Sequence, residues 1–252
     1  MPAQAWAAPP AILKLDADMV HVWRLPLGLD DTTVQDLYQT LSDDERQRAA
    51  RFHSPRPRQE FITARGLLRV VLGRYLEQAP RQLRFCYGAQ GKPALTTSRR
   101  PHPLRFNLSH SHGLALLAVT QAREVGVDVE YMRPNFDCLQ IAAEFFSPWE
   151  VAALRRLPAA AQKTGFFKGW TCKEAYLKAR GGGLHLGLDH FDVALAPGEA
   201  ARLLRTRPDP ADAGRWTLQE LTPGPGYAAA LAVEGSGWGL CCWQSPLADA
   251  SA

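Results

Sequence analysis

The sequence predicts an α+β fold made of two similar lobes. In each half of the 252-residue chain, helical segments with aromatic residues come before a series of strands. The stretch at 113–119, GLALLAV, also resembles the stretch at 227–233, YAAALAV. We therefore expect an N-terminal lobe over residues 1–122 and a C-terminal lobe over residues 123–252, joined within residues 120–135.

The composition is typical of a globular protein, because 46% of the residues are hydrophobic and 21% are charged. No apolar run approaches the roughly 20 residues that span a bilayer. The first ten residues lack the basic cluster and apolar stretch of a signal peptide. The five cysteines form no Cys-x-x-Cys pair, which argues against a zinc site and a disulfide framework. We expect a soluble, cytoplasmic protein with no membrane partner.

The chain is mildly basic, with a net charge of +4 and a pI near 8.9. Arginine supplies most of the positive charge. This balance suits a polyanionic small ligand or an acidic protein partner better than it suits nucleic acid. The net charge by itself does not decide between a polyanionic small ligand and an acidic protein.

Turn and periodicity signals divide the N-terminal half into elements. Alternation predicts a short strand at Val20–Trp23. The capping box Ser42–Glu45 predicts a helix that runs towards Phe52 and ends near Pro55. Apolar residues at helical spacing predict a second helix over about residues 59–77. The remaining expected features are strands at Leu83–Tyr87, Leu104–Leu108, Leu114–Thr120 and Val125–Glu130, a turn at Gly91–Pro93, a polar loop at Ser109–Gly113, and a hairpin around Ala122 and Arg123.

The C-terminal half is predicted to begin with helices. After a short helix at Leu139–Phe145, Ser147 caps another helix that has proline at its first position. The clearest helix is Thr164–Arg180, which Gly181–Gly183 ends. The Pro- and Ala-rich stretch Pro197–Gly214 is interpreted as a surface excursion. Strands are expected at Phe191–Leu195, Trp216–Leu221, Tyr227–Val233 and Trp238–Trp243.

The strand Val125–Glu130 carries two carboxylates on one face. Side chains alternate along a strand, so Asp128 and Glu130 point away from the valines and lie roughly 6–7 Å apart. Both can therefore reach one cation. The alternative is a half-buried strand with a solvated acidic face. Gly126 favours a site, because glycine inside a strand often marks a close backbone approach.

A second candidate lies on the predicted helix at Thr164–Arg180. Glu174 and Lys178 are four residues apart and share a helix face with Phe167 and Thr171. The alternative is an exposed ion pair that contributes a few tenths of a kcal/mol. Since Phe167 prefers burial, the two charged residues are candidates for a functional site.

Two further segments offer polar groups to an anion. Phe106–Gly113 is a strand followed by a Ser/His/Gly loop, which supplies backbone N–H groups, hydroxyls and imidazoles. Either His110 or His112 could instead be a surface turn residue. The turn Gly91–Pro93 directs Lys92, or is an ordinary hairpin turn. The pattern G-x-S-x-G does not occur here, which argues against a serine hydrolase.

In this order and spacing, the segments resemble the signature of the surfactin-type (Sfp-like) 4′-phosphopantetheinyl transferases. The motifs that carry the resemblance are GKP at 91–93, FNLSH at 106–110, GVDVE at 126–130, FF at 145–146 and WTCKEAYLK at 170–178. The resemblance covers roughly residues 40–235. It implies two similar α+β lobes with the active site in the cleft between them. It also implies transfer of the phosphopantetheine arm of coenzyme A to a serine of an apo acyl or peptidyl carrier protein, with release of adenosine 3′,5′-bisphosphate.

The resemblance also implies the residues of a metal site. Asp128, Glu130 and Glu174 match the acidic ligands of Mg²⁺, with Mn²⁺ as an alternative ion. Carboxylates are suitable ligands for such a hard cation. Glu174 is further implied as the general base, acting directly or through a metal-bound water.

Contacts with coenzyme A are implied at five other positions. Ser109 and His110 match the residues that hold the 3′-phosphate, and Lys92 matches a lysine near the nucleotide. Arg48, four residues before Phe52, stands where the family places a basic residue for the 3′-phosphate. Lys178 matches the lysine that contacts the pyrophosphate, where it supports the catalytic step.

Two other functions account for part of the pattern. A Mg²⁺-dependent nuclease or phosphodiesterase would also use the carboxylates and Lys178, although it leaves the Ser109–His110 segment and Lys92 unexplained. An inactive module that binds a carrier protein or coenzyme A is the non-catalytic alternative. The family resemblance further implies a monomer and leaves fatty acid, polyketide and nonribosomal peptide synthesis equally open.

Overall fold

The chain is described by a computed structural model over residues 5–88, 91–96, 103–181, 187–207, 209–245 and 247. The helices are α1 (Asp31–Thr40), α2 (Asp43–Ala50), α3 (Pro55–Leu76), α4 (Cys138–Phe145), α5 (Pro148–Arg156), α6 (Ala159–Arg180) and α7 (Asp212–Arg215). The strands are β1 (Met19–Pro26), β2 (Phe85–Tyr87), β3 (Pro93–Leu95), β4 (Leu104–Ser111), β5 (Leu114–Gln121), β6 (Val125–Tyr131), β7 (Phe191–Val193), β8 (Leu203–Thr206), β9 (Trp216–Leu221), β10 (Tyr227–Glu234) and β11 (Gly239–Gln244).

Two main sheets organise the fold. The first has the strand order β11-β1-β5-β4, and the second has the order β6-β10-β9. The pairs β2–β3 and β7–β8 form two small sheets. All described pairs of named strands are antiparallel except β1–β11, which is parallel. The mixed α+β class predicted from the sequence is therefore confirmed.

Each main sheet is covered by one 22-residue helix. Helix α3 packs on the first sheet through a core that includes Trp23, Leu67 and Leu117. Helix α6 packs on the second sheet, where Tyr176 and Ala230 belong to one core. A further core joins the two sheets, because the opposite faces of their strands are also apolar. This arrangement produces the two similar halves.

The predicted hairpin between Leu114–Thr120 and Val125–Glu130 is wrong. Strand β5 pairs with β1 on one side and β4 on the other, so it has no free edge for β6. The chain instead crosses to the second sheet at Ala122, whose φ is 68°. The C-terminal strand β11 completes the first sheet beside β1.

Several other boundaries differ from the expectation. Strand β4 continues through Ser109 to Ser111, so the expected polar loop is reduced to a two-residue turn. Helix α3 begins at Pro55, because proline is well accommodated in the first turn of a helix. Helix α6 begins at Ala159, before the expected start. Helix α1 was not predicted, and the expected excursion at 197–214 contains β8 and the start of α7.

Local signals at the helix ends are confirmed. The capping boxes of Ser42 with Glu45 and of Ser147 with Glu150 are both present. Gly181 ends α6 with a φ of 71°. Gly182 and Gly183, also expected there, lie outside the described residues. In the part of the chain that the structure describes, no helix is long and apolar enough to cross a membrane.

Glu150 and Lys173 form an ion pair inside the C-terminal half. Their charged groups are 2.7 Å apart and neither side chain is exposed to solvent. Lys173 also donates to the carbonyl groups of Leu188 and Phe191, and Glu150 accepts the N–H of Val193. Burial raises the pKa of Glu150 and lowers that of Lys173, while their mutual attraction opposes both shifts. The lysine of the KEA motif therefore has a structural role.

We predict that Lys173→Met lowers the free energy of unfolding by about 3–5 kcal/mol, because it leaves the Glu150 carboxylate buried without its counter-charge. Urea unfolding measures this difference. Lys14→Met is the matched control, since Lys14 is exposed and its loss is expected to change stability by less than about 0.5 kcal/mol. Equal stability of the two variants would contradict the structural role of Lys173.

Candidate active site

The edges of the two main sheets meet along β4 and β6, which we call the polar seam. Polar side chains of β4 bond to β6 along this line in place of backbone pairing. The side-chain oxygen Oδ1 of Asn107 accepts a hydrogen bond from the N–H of Val127 at 2.8 Å, and the Ser111 hydroxyl accepts one from the N–H of Tyr131 at 3.2 Å. The contacts advance along both strands together, so β4 and β6 run in the same direction here.

The two predicted carboxylates of β6 both point into the polar seam. Ser109 donates to Asp128 Oδ1 at 2.8 Å, and Ser111 donates to Glu130 Oε2 at 2.8 Å. The expectation that Asp128 and Glu130 share one strand face is thus confirmed. Asp128 is buried, so its charge lies in a region of low dielectric.

Asn107 and Ser111 are site residues that the sequence reasoning missed. Together with Ser109 they occupy alternate positions of β4 and therefore lie on one face of the strand. This alternation of polar residues is the signal that could have identified them. It was hidden because Ser109 to Gly113 was interpreted as a loop.

Helix α6 lies directly against β6 at Gly126. A Cβ atom at this position would lie 2.1 Å from the carbonyl oxygen of Ala175 and 2.4 Å from the N atom of Ala179. Only glycine permits this separation, as the strand glycine suggested. Glu174 and Lys178 flank the contact on the helix, so the close approach brings both of them to the polar seam.

Lys178 is held by the polar seam itself. Its ammonium group is 2.5 Å from Asp128 Oδ1 and 2.9 Å from the hydroxyl of Ser109. The alternative of an exposed pair between Glu174 and Lys178 is therefore not what the structure shows. Phe167, on the same helix, is buried as expected, and Thr171 is buried as well.

The surrounding charges shift the pKa values of the two other acids. Burial raises the pKa of Glu130, and the negative charge of Asp128 raises it further. Burial also raises the pKa of Glu174. The negative charges of Asp128 and Glu130 raise this pKa further, while the positive charge of Lys178 opposes the increase. The three carboxylates thus act on one another electrostatically, and a cation placed among them would relieve their repulsion.

The donor set at the polar seam suits a hard cation. Asp128 Oδ2 is buried and has no hydrogen-bond partner among the described residues. An oxygen of this kind, near two further carboxylates, offers the ligand chemistry that Mg²⁺ prefers. No group of three or more His, Cys, Asp or Glu side chains in the described ranges is arranged to hold a metal ion. Asp128, Glu130 and Glu174 would therefore have to move closer together to bind one metal ion.

The other predicted contact residues surround this centre. Lys92 donates to the carbonyl groups of Val125 and Lys178, at 3.2 and 2.7 Å, and burial lowers its pKa. His110 follows Ser109 on β4 and points away from the polar seam, because neighbouring residues of a strand face opposite sides. It is exposed, yet partial desolvation lowers its pKa, with Glu60 opposing the shift.

Arg48 lines a cavity of about 520 Å³ on the N-terminal side. Its guanidinium group lies over the ring of Phe61 at 5.3 Å. Gly91 of the predicted turn lines the same cavity, together with Arg51 and Tyr87, which the sequence reasoning had not selected. Asp44 and Glu45 also line the cavity, and the Glu45 carboxylate is already paired with Arg65 and Arg69. The two exposed arginines and the aromatic ring offer the groups that bind a phosphorylated ring system.

Comparisons with known proteins identify the family of this chain. The family model described as "4′-phosphopantetheinyl transferase, N-terminal" matches residues 30–122, and that of the 4′-phosphopantetheinyl transferase superfamily matches residues 124–232. The 4′-phosphopantetheinyl transferase HetI of Nostoc sp. is 45% identical over 239 residues, which are 95% of this chain and 98% of HetI.

Two other relatives are similar over shorter stretches. The protein slr0495 of Synechocystis sp. is 36% identical over 198 residues, covering 79% of this chain and 78% of that protein. The 4′-phosphopantetheinyl transferase Sfp of Bacillus subtilis is 30% identical over 155 residues, covering 62% of this chain and 66% of Sfp. The chain belongs to the 4′-phosphopantetheinyl transferase superfamily. It is an enzyme that transfers 4′-phosphopantetheine, and its partners are coenzyme A and a carrier protein.

We predict that Gly126→Ala lowers the free energy of unfolding by about 1–3 kcal/mol and reduces transferase kcat/KM at least tenfold, because the added methyl group pushes α6 away from β6. Thermal unfolding and a transfer assay measure the two effects. Gly28→Ala is the matched control, since a Cβ there meets no atom within 4 Å. Full activity of Gly126→Ala at normal stability would contradict the proposed role of this contact.

Proposed function

We propose that this transferase acts in the manner of the surfactin-type group and uses Mg²⁺ held at the polar seam. The single observation that carries the proposal is the environment of Asp128. One of its oxygens bonds Lys178 and Ser109, and the other is buried and receives no hydrogen bond from any residue that the structure describes. Such a centre places a carboxylate oxygen that can bind a metal ion beside an ammonium group, that of Lys178, which can contact phosphate.

In this proposal Asp128, Glu130 and Glu174 hold the metal ion. All three present oxygen atoms. Burial is the main cause of the raised pKa values of Glu130 and Glu174, and the negative charge of Asp128 adds a repulsion that a bound cation would relieve. Bound Mg²⁺, or Mn²⁺ in its place, supplies stabilisation of the charge that develops on the phosphate oxygens. Removal of divalent ions by chelation is therefore expected to stop transfer.

The proposed coenzyme A site extends from the polar seam to the N-terminal half. Lys178 lies beside the carboxylates and contacts the pyrophosphate. Ser109 and His110 follow on β4 and hold the 3′-phosphate, with Arg48 contributing from the cavity that it lines with Gly91. Lys92, anchored near the start of β6, lies near the nucleotide. The lobes 1–122 and 123–252 thus both contribute residues, as the cleft between two lobes requires.

The reaction assigned to this site is phosphoryl transfer to a hydroxyl group. The serine oxygen of the carrier bonds to the phosphorus nearest pantetheine, and the phosphoanhydride bond from that phosphorus breaks. Adenosine 3′,5′-bisphosphate leaves with the bonding electrons, and Lys178 lies where it can stabilise the new charge. The hydroxyl proton passes to Glu174.

The remaining parts of the proposal concern the setting of the enzyme. We propose a cytoplasmic monomer that modifies an acyl or peptidyl carrier protein. The net charge of +4 supports an acidic partner of this kind. A nuclease would need a path for a nucleic acid strand, whereas the cavity beside Gly91, with a volume of about 520 Å³, is of a size that suits a single nucleotide.

One assay distinguishes the proposal from both alternatives. The chain is incubated with coenzyme A, Mg²⁺ and an apo acyl or peptidyl carrier protein, and the carrier is then weighed by mass spectrometry. We expect a gain equal to one phosphopantetheinyl group, which EDTA abolishes and added Mg²⁺ or Mn²⁺ restores. Transfer that persists in EDTA would rule out the metal assignment. Hydrolysis of phosphodiesters without any gain in mass would favour the nuclease alternative.

We predict that Glu174→Gln reduces kcat for transfer by about 10²–10⁴-fold, because the amide can no longer accept the serine proton. Coenzyme A binding, measured by calorimetry, is expected to persist. Glu144→Gln on the surface of α4 is the matched control and should keep the wild-type rate. A near-normal rate in Glu174→Gln would exclude this residue as the base.

A further inference from the structure

The turn between β4 and β5 has a histidine at a position with positive φ. Ser111 and Leu114 are paired, so His112 and Gly113 are its two central residues. Both have positive φ, 48° at His112 and 83° at Gly113. Turns with two positive φ values strongly favour Asn-Gly, and histidine is a costlier choice at the first position. Histidine tolerates this conformation, so the turn accommodates an imidazole next to the end of β4.

His112 is built into an aromatic stack, which we define as His112, Tyr131 and Tyr227. The imidazole lies 4.3 Å above the ring of Tyr131 with an interplanar angle of 15°. Tyr227 meets Tyr131 edge to face at 5.3 Å and donates its hydroxyl to the carbonyl oxygen of His112 at 2.7 Å. A Cβ on Gly226 would lie 3.0 Å from Tyr131, so this glycine lets the backbone approach the ring. The stack is thus held from several sides while His112 itself stays exposed.

The aromatic stack continues the polar seam. Ser111, which bonds Glu130 and the N–H of Tyr131, directly precedes His112 in the chain. From the start of β6 to its end, the groups at the seam are Lys92, then Lys178 with Asp128, then Glu130, and finally the aromatic stack. The stack therefore lies beyond the carboxylates, on the side away from Lys92.

We propose that the aromatic stack receives the pantetheine arm of coenzyme A and contributes to recognition of that substrate. The inference rests on the proposed function, which places the nucleotide near Lys92 and the pyrophosphate at Lys178. With these two ends assigned, the arm leaves the pyrophosphate past Glu130 and reaches His112. Its geminal methyl groups match the exposed imidazole face, and its amide groups can bond the ring nitrogen atoms.

The arm and the nucleotide can be separated experimentally with a truncated ligand. 3′-Phosphoadenosine 5′-diphosphate keeps every phosphate of coenzyme A and lacks the pantetheine arm. The decisive variant is His112→Asn, because asparagine suits the positive φ and removes the aromatic face. His53→Asn is the matched control, since His53 is an exposed histidine on the N-terminal side.

Calorimetry with both ligands in Mg²⁺ tests the proposal, with thermal unfolding as the check of folding. We expect His112→Asn to unfold at or above the wild-type temperature and to raise the Kd of coenzyme A about three- to tenfold. The Kd of the truncated ligand should change by less than about twofold, and His53→Asn should leave both values unchanged.

Three results would overturn the proposal. Equal weakening of both ligands would assign the effect to the nucleotide end, and no weakening of either would remove His112 from the substrate site. A rise confined to the KM of the carrier protein would make the stack a carrier contact. Failure of the proposed function looks different, because transfer by the wild-type chain would then persist in EDTA or the carrier would gain no mass.

Discussion

The contact between helix α6 and strand β6 at Gly126 is the constraint on which the site depends. A glycine there lets the helix backbone lie against the strand, at a distance that no residue with a Cβ atom permits. The helix then extends Lys178 to Asp128 and brings Glu174 within electrostatic reach of both β6 acids. On the other side of the contact, Cys172, Ala175 and Ala179 pack into the core of the C-terminal half, which holds the helix at this distance.

The polar seam accounts for how two sheets can enclose a charged centre. Edge strands normally need a partner for their backbone groups, and β4 and β6 are both edges. Asn107 and Ser111 bond two N–H groups of β6 through side chains, so the strands stay close without forming a continuous sheet. The carboxylates of Asp128 and Glu130 then face serine hydroxyl groups of β4. A charged site thereby forms between two apolar cores without leaving its backbone groups unbonded.

The motifs within single elements were predictable because their signals are local. Asp128 and Glu130 could be placed on one face from strand periodicity, and the caps at Ser42 and Ser147 from their residue types. The pairing of strands was not predictable in the same way. The hairpin at Ala122 was expected because two strands follow each other closely, but β1 and β4 already occupy both edges of β5. The extension of β4 was missed because Ser and His are common in loops as well as on the polar face of a strand.

Sequence by itself determined the family and the α+β class, which follow from the order of motifs and elements along the chain. It also determined that Asp128 and Glu130 share a face of β6 and that Glu174 and Lys178 share a face of α6, because strand and helix periodicity set the geometry within one element. Tertiary structure alone decided that Lys178 bonds Asp128, that Lys173 is buried with Glu150, and that Ser111 and Asn107 join β4 to β6. These contacts join residues that are distant in the chain, and their formation depends on how the sheets and helices pack, which no local pattern encodes.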